Sequence, residues 1–339
     1  MPNDQQAAAT AEPIPHVVPD GLTSIRCAGC GLGGPHARLL IPGDPKPQRE
    51  VFPYAYCEAC ETLTFANAGF DPSHYYKADY YSHAAARPRG PKAFAKTVRN
   101  WLTLFGTEGL SNAVRARSEH PVLPTLRPII SGDIGRKIDE RARWLDIGCG
   151  TGAVLLHDLR DLGFRDLTGA DPFMHAETRA HGFWLLKSDG IDLGERFDVV
   201  MMHHSLEHVP DPAATLQQLH DILAPDGVLL VRIPLCGSEP WRRHGGEWGN
   251  LDAPRHLTLW SARGFQLAAE RAGWNLRRTI FDAKGRSLWA GEARLLGASE
   301  HTEDVRGRFT PDQLAAFAAE IDTQNTNGTS DSAAFFLTH

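Results

Sequence analysis

From residue 141 to residue 283, short apolar runs alternate with stretches whose apolar residues recur at helical spacing. Trp144, Leu145 and Ile147 make a compact run around Asp146, and Ala153, Val154, Leu155 and Leu156 resume as a helix after a glycine turn. The pattern predicts a fourth strand over Phe197 to Met202, a helix over Ala213 to Leu223, a turn at Asp226-Gly227 and a fifth strand over Val228 to Ile233. Strands alternating with helices predict an α/β fold, a doubly wound and mostly parallel sheet.

The turn after the first of these strands carries Gly148, Gly150 and Gly152. Glycines there allow positive φ and close approach of the backbone to a ligand. Dinucleotide sites set a pyrophosphate against a helix N-terminus and space their glycines as G-x-G-x-x-G. Here the spacing is tighter and Asp146 precedes it, which would repel a pyrophosphate and suits a cationic head group. Asp171, at the end of the next strand in LTGADPF, is placed to accept two ribose hydroxyls beyond the strand ends. Two plainer roles stay open, Asp171 capping a helix and Asp146 bracing the glycine turn.

DIGCGTG, Asp171, FDVV, LEHV and LAPDGVLLVRIP, in register over roughly 141 to 283, resemble the class I S-adenosylmethionine-dependent methyltransferases. The resemblance implies a seven-stranded Rossmann-like sheet and S-adenosylmethionine as cofactor. On it, the cofactor contacts fall to Asp146, Gly148, Gly150, Gly152, Asp171, Asp189 and His203. PRHL within 249–276 and the closing NTNGTSDSAAFFLTH resemble bacterial sugar- and polysaccharide-associated methyltransferases that also carry an N-terminal four-cysteine module. They imply Ala333 to Thr338 as a last, antiparallel strand.

Cys27-x-x-Cys30 and Cys57-x-x-Cys60 are separated by 26 residues. Four thiolates in two such pairs are the donor set of a structural Zn²⁺ site in a small ribbon-like module over 21–66. Two redox pairs, or disulfides in an exported domain, are the alternatives. Gly31 follows the first knuckle, whereas Glu61 takes the matching place after the second. Cys149 and Cys236 read as small packing residues.

The remaining composition narrows the rest. The 339 residues, 42% hydrophobic, suffice for one core with an appendage, and a net charge of −6 gives no overall footprint for nucleic acid. No apolar run reaches about 18 residues and the start is not basic-then-apolar, which predicts neither a membrane span nor a secretory signal, and a cytoplasmic chain. Residues 1–20 read as disordered. A helical linking region over 67–140 starts with Tyr75, Tyr76, Tyr80 and Tyr81, placed to line the pocket mouth or pack on the core. A helix from Pro91 carries Phe94, Val98, Trp101 and Phe105 on one stripe. From Arg87 to Arg143 there are 12 basic residues against 5 acidic ones, either a solvated face or a site for a substrate phosphate.

Candidate chemistry falls on the loops after the fourth and fifth strands. His203, His204, Glu207 and His208 stand where class I enzymes place the wall opposite the methyl group, and His204-x-x-Glu207-His208 resembles the acid-x-x-Glu-His metal arrangement of ubiquinone O-methyltransferases. With His in the first place the set is poorer for Mg²⁺. By the sugar-methyltransferase resemblance His256 is an active-site base and Arg255 meets an anionic substrate group; His256 as a packed core histidine stays open. His204 is the second candidate base. The expected function is methyl transfer to a small-molecule or glycan acceptor, a nucleotide sugar or polysaccharide. RNA methylation with the zinc module gripping RNA, and a non-catalytic scaffold, are the competing classes. The module's balance of Arg26, Arg38, Lys46 and Arg49 against Asp44, Glu50, Glu58 and Glu61 favours small substrates.

Overall fold

A computed structural model describes residues 14–43, 50–67, 69–70, 75, 98, 100–101, 123–150, 154–174, 176–180, 182–298 and 304–339. The N-terminal module is an antiparallel sheet of β1 (Val18–Arg26), β2 (Gly33–Pro42), β3 (Val51–Cys57) and β4 (Thr62–Phe65). Residues 18–20 lie in β1, and Pro15 O accepts the amide of Gly246 at 2.9 Å. The described end of the segment expected to be disordered is therefore held by sheet pairing and by docking.

The helix α1 (Leu123–Ile130) precedes the core strand β5 (Arg143–Ile147). Leu126, Ile129, Ile130, Ile134 and Ile138 pack into the same cluster as Trp144 and Leu156, so this end of the expected linking region is built into the core. Val98, Asn100 and Trp101 are helical, as the stripe predicts. Phe94, Phe105, Tyr76, Tyr80, Tyr81 and Gly152 lie outside the described residues.

Then follow α2 (Val154–Leu162), β6 (Asp166–Ala170), β7 (Thr178–Ala180), β8 (Phe183–Leu186), β9 (Phe197–His203), α3 (Pro212–Ile222) and β10 (Leu223–Pro234). After α4 (Glu239–His244), the short β11 (Thr258–Leu259) joins the first sheet beside β4. The chain continues through α5 (Ala262–Arg271), β12 (Asn275–Phe281), α6 (Arg286–Leu295), α7 (Pro311–Asn327) and β13 (Ser332–Thr338). Strand order in the main sheet is β12-β13-β10-β9-β5-β6-β8-β7. The seven expected strands are present; β7 is an eighth, antiparallel to β8 at the edge. β13 runs antiparallel between β10 and β12, as its resemblance implied.

Both faces of this sheet are covered, which explains why its central strands read as continuous apolar runs. Val199 and Met201 enter the cluster around Trp144, while Val200 and Met202 enter the opposite one with Leu145, Leu216 and Phe265. Chain order reverses between β5 and β9, so the crevice beyond their carboxyl ends holds both the glycine turn and the His203–His204 loop.

Candidate active site

The end of β5 forms the cofactor side. Gly148 has φ +74°, its amide donates to Ala170 O at 2.7 Å, and a Cβ on it would stand 2.4 Å from Ser205 Cβ. Ser205 in turn donates its hydroxyl to Ile147 O at 2.7 Å, which clamps the turn to the loop after β9. Asp171 accepts the Gly150 amide at 3.0 Å and the Phe173 amide at 2.8 Å. Asp146 is buried, and its Oδ1 has no hydrogen-bond partner among the described residues. Burial, and then the neighbouring Asp171 carboxylate, push its pKa up to about 8. A buried carboxylate oxygen left without a donor fits a cationic ligand better than an anionic one. Asp189 is exposed after β8 and accepts the Ile191 amide at 3.1 Å. His203 ends β9 with its ring 5.0 Å from that of His204. Burial holds it neutral, well below the usual histidine range.

The loop after β9, whose Ser205 clamps this turn, also borders a cavity of about 550 Å³ that gathers His204, Glu207, Arg255 and His256, four residues singled out from distant places in the sequence. Its geometry assigns their protons. His204 sits at φ +55°, its Nε2 faces the Arg232 guanidinium and its Nδ1 lies 3.3 Å from Glu207 Oε1. Since arginine can only donate, Nε2 accepts and the Nδ1 proton points at the carboxylate. Burial and Arg232 lower the His204 pKa to about 3. His256 donates Nδ1–H to Asn250 O at 2.9 Å, leaving Nε2 4.0 Å from Glu207 Oε1 and 3.8 Å from Asp252 Oδ2. Burial is the main cause that lowers its pKa to about 4. Both rings are therefore neutral. Glu207 is fully buried, and its Oε2 has no hydrogen-bond partner among the described residues.

Two expectations shift here. Arg255 reaches Asp252 through Nε at 3.0 and 3.1 Å and through Nη2, so a carboxylate of the protein already takes the charge meant for substrate. The metal-type grouping is Glu207, His208 and His256, with one donor atom each within 4.8 Å, and not His204-Glu207-His208. His204 turns Nε2 to the Arg232 guanidinium and its Nδ1 proton to Glu207, so neither ring nitrogen is open to an ion. His208 and His256 direct Nδ1–H to the carbonyls of Arg255 and Asn250, an orientation that also suits metal-binding imidazoles.

A family model described as a methyltransferase domain matches residues 126–279. A ubiquinone biosynthesis O-methyltransferase of Azorhizobium caulinodans is 30% identical over 234 residues, covering 61% of this chain and 85% of that protein. The chain belongs to the class I S-adenosylmethionine-dependent methyltransferases. Another ubiquinone biosynthesis O-methyltransferase, from Cereibacter sphaeroides, is 37% identical over 99 residues, 26% of this chain and 39% of that one. Against the first curated relatives, this methyltransferase spans 39% of one and 60% of two others. Among solved structures, a methyltransferase from Mesorhizobium loti aligns at 15% identity with a TM-score of 0.38, over 64% of this chain and 97% of that one.

The four cysteines of the methyltransferase meet at the tips of the module. Cys27 and Cys60 Sγ are 3.5 Å apart, Cys30 and Cys57 Sγ 3.6 Å, and all four sulfurs lie within 4.8 Å of one another. Tetrahedral Zn²⁺ with bonds of about 2.3 Å sets its sulfurs about 3.8 Å apart, so the cluster fits the ion. Gly31 turns the first knuckle at φ +76°; Glu61 adopts φ +53° in the second and pairs with Arg242 at 2.9 Å. Cys236 is buried, with its one S–H shared between Glu61 O at 2.8 Å and Leu259 O at 2.9 Å, a packing role as expected.

The sequence reading missed Arg232, Asn250, Asp252, Lys284, Arg286 and Tyr54. Only Arg232 left a signal, as the one charge inside LLVRIP: it faces the cavity and is held by Asp282 at 2.8 Å. Tyr54 lies within β3, Arg286 opens α6, and Asn250, Asp252 and Lys284 sit on connections between elements, where nothing local sets them apart from ordinary polar residues.

Proposed function

We propose that this methyltransferase acts on a polar, anionic small molecule, a nucleotide sugar or the end of a glycan, bound in the cavity beside the glycine turn. The observation that carries the reading is the lining. Arg232, Arg255, Lys284, Arg286 and Arg294 stand against Glu207 and Asp252, and the apolar side chains are few, Pro234 and Ala283 among them. Arg255 and Arg232 are engaged by Asp252 and Asp282 inside the cavity, and the exposed Lys284 and Arg286, the latter also donating to Asn250 Oδ1 at 3.2 Å, bring positive charge to its rim for an anionic group. The relatives named for O-methylation support oxygen as the receiving atom.

S-adenosylmethionine supplies a sulfonium methyl activated for in-line displacement, and Asp146, the Gly148–Gly150 turn and Asp171 are the residues to hold it. The cavity residues orient the acceptor and take its proton. Glu207 Oε2 is the candidate acceptor of that proton. His256, fixed by Asn250 and facing Glu207, is the second. Zn²⁺ on Cys27, Cys30, Cys57 and Cys60 is read as structural. No helix among the described residues is long and apolar enough to cross a membrane.

The test supplies labelled S-adenosylmethionine with separate pools of nucleotide sugars, RNA and apolar phenols. Label in the nucleotide-sugar pool, lost on charge reversal of Lys284 and Arg286, is expected. Label confined to RNA or to the phenols overturns the acceptor assignment.

A further inference from the structure

The cysteine module and the acceptor cavity share a single peptide. Tyr54, in β3 of the module, is completely buried and donates its hydroxyl to the carbonyl of His256 at 2.7 Å, across 202 residues of sequence. One residue on, Leu257 O accepts the Phe65 amide at 2.8 Å, and its own amide donates to Glu207 O at 2.7 Å. The chain then pairs with β4, Thr258 with Thr64 and Leu259 with Leu63. Beyond it the Ser261 hydroxyl binds Cys60 O, and Arg271 reaches Gly29 O at 2.8 Å. The segment that brings His256 and Asp252 to the cavity is thus anchored on strands that end in Cys57 and begin after Cys60.

We propose that Tyr54 is a positioning residue of the acceptor site. Its hydroxyl fixes the His256 peptide, and a metal on the four cysteines fixes the strands that carry Tyr54. The inference rests on the cavity being the acceptor site, and it gives the module a role that does not involve gripping RNA. The Tyr54 ring packs edge-on against Phe65 with centroids 5.2 Å apart, so its direction is set by the sheet. Burial raises the phenol well above its usual range, which keeps it a donor over the whole working pH. Among the described residues none of these contacts reaches the Gly148 turn, which hangs on Ala170 and Ser205.

The test compares wild type with Tyr54→Phe, which keeps the ring and removes one hydrogen bond. Hydrogen exchange followed by mass spectrometry should quicken in peptides covering 250–257, on the order of five- to tenfold for one lost bond. Peptides covering β5 and β9 should not change. Affinity for S-adenosylmethionine should stay within about twofold, while kcat for the acceptor found in the screen falls. Chelation of the wild-type metal should quicken exchange in the module strands and, with them, in peptides covering 250–257, while β5 and the affinity for S-adenosylmethionine stay unchanged. Unchanged exchange at 250–257 in Tyr54→Phe overturns the proposal. So does loosening spread equally over β5 and β9 with cofactor affinity lost, because that marks general destabilisation. If no acceptor in the pools is methylated, the acceptor reading has failed on its own, and the exchange and affinity measurements still decide the role of Tyr54.

Discussion

Replacing Asp146 by Asn should make the cofactor-free protein more stable and a poorer binder. In the folded chain Asp146 is 3% exposed, its Oδ1 lacks a donor among the described residues, and its pKa stands at about 8 against an ordinary 3.8. The native state therefore binds more protons than the unfolded chain between about pH 4 and 8, and stability must fall as pH rises through that window. One pKa unit is worth about 1.4 kcal/mol, so from pH 5 to pH 7 this carboxyl alone should remove about 2.5 kcal/mol. For a chain of this size that is roughly 3–4 °C in Tm. Asn has nearly the same shape and no proton to lose, so the wild-type minus variant difference in Tm, taken at each pH without cofactor, isolates the effect. Calorimetric affinity for S-adenosylmethionine should run the other way. The sulfonium favours the ionised carboxylate, so wild-type affinity should rise toward roughly 50-fold between pH 6 and 8, with proton release on binding at the lower pH. The variant should be weak and flat with pH. Parallel Tm curves for the two proteins, or a variant that binds at pH 8 as tightly as wild type, would refute the reasoning.

Asp171→Ala should weaken S-adenosylmethionine by about 1.5–3 kcal/mol in calorimetry, since the Gly150 and Phe173 amides lose their charged acceptor together with any ribose contact. Glu207→Gln should lower kcat by about 10² to 10³ with cofactor affinity intact; a chelator that abolishes wild-type turnover, restored by a divalent ion, would instead make Glu207 a metal ligand. Elemental analysis should find one Zn²⁺ per chain, and Cys57→Ser should release it and expose the module to protease. A metal-free, protease-resistant wild type is the contrary result.

Legibility in the sequence followed the range of the forces involved. Apolar runs and helical periodicity are local, so β5, β9 and α3 lie within a few residues of the predicted bounds, and β13 lies where the family resemblance implied it. DIGCGTG is local too: Gly148 needs φ +74° and space against Ser205, and Asp146 sits two residues before it on the same strand end. The two cysteine pairs announce their donor set, because each knuckle is one turn and chelation geometry leaves few alternatives. Tertiary packing alone decided the acceptor side. The pairing of His204 with Arg232, the hold of Arg232 by Asp282 and the reach of Tyr54 to the His256 carbonyl join segments tens to hundreds of residues apart. A side chain's spacing shows which chemistry it carries. Its partner, and hence its protonation and its freedom to meet substrate, is set by the low-dielectric neighbourhood that exists only once distant turns have closed around one cavity.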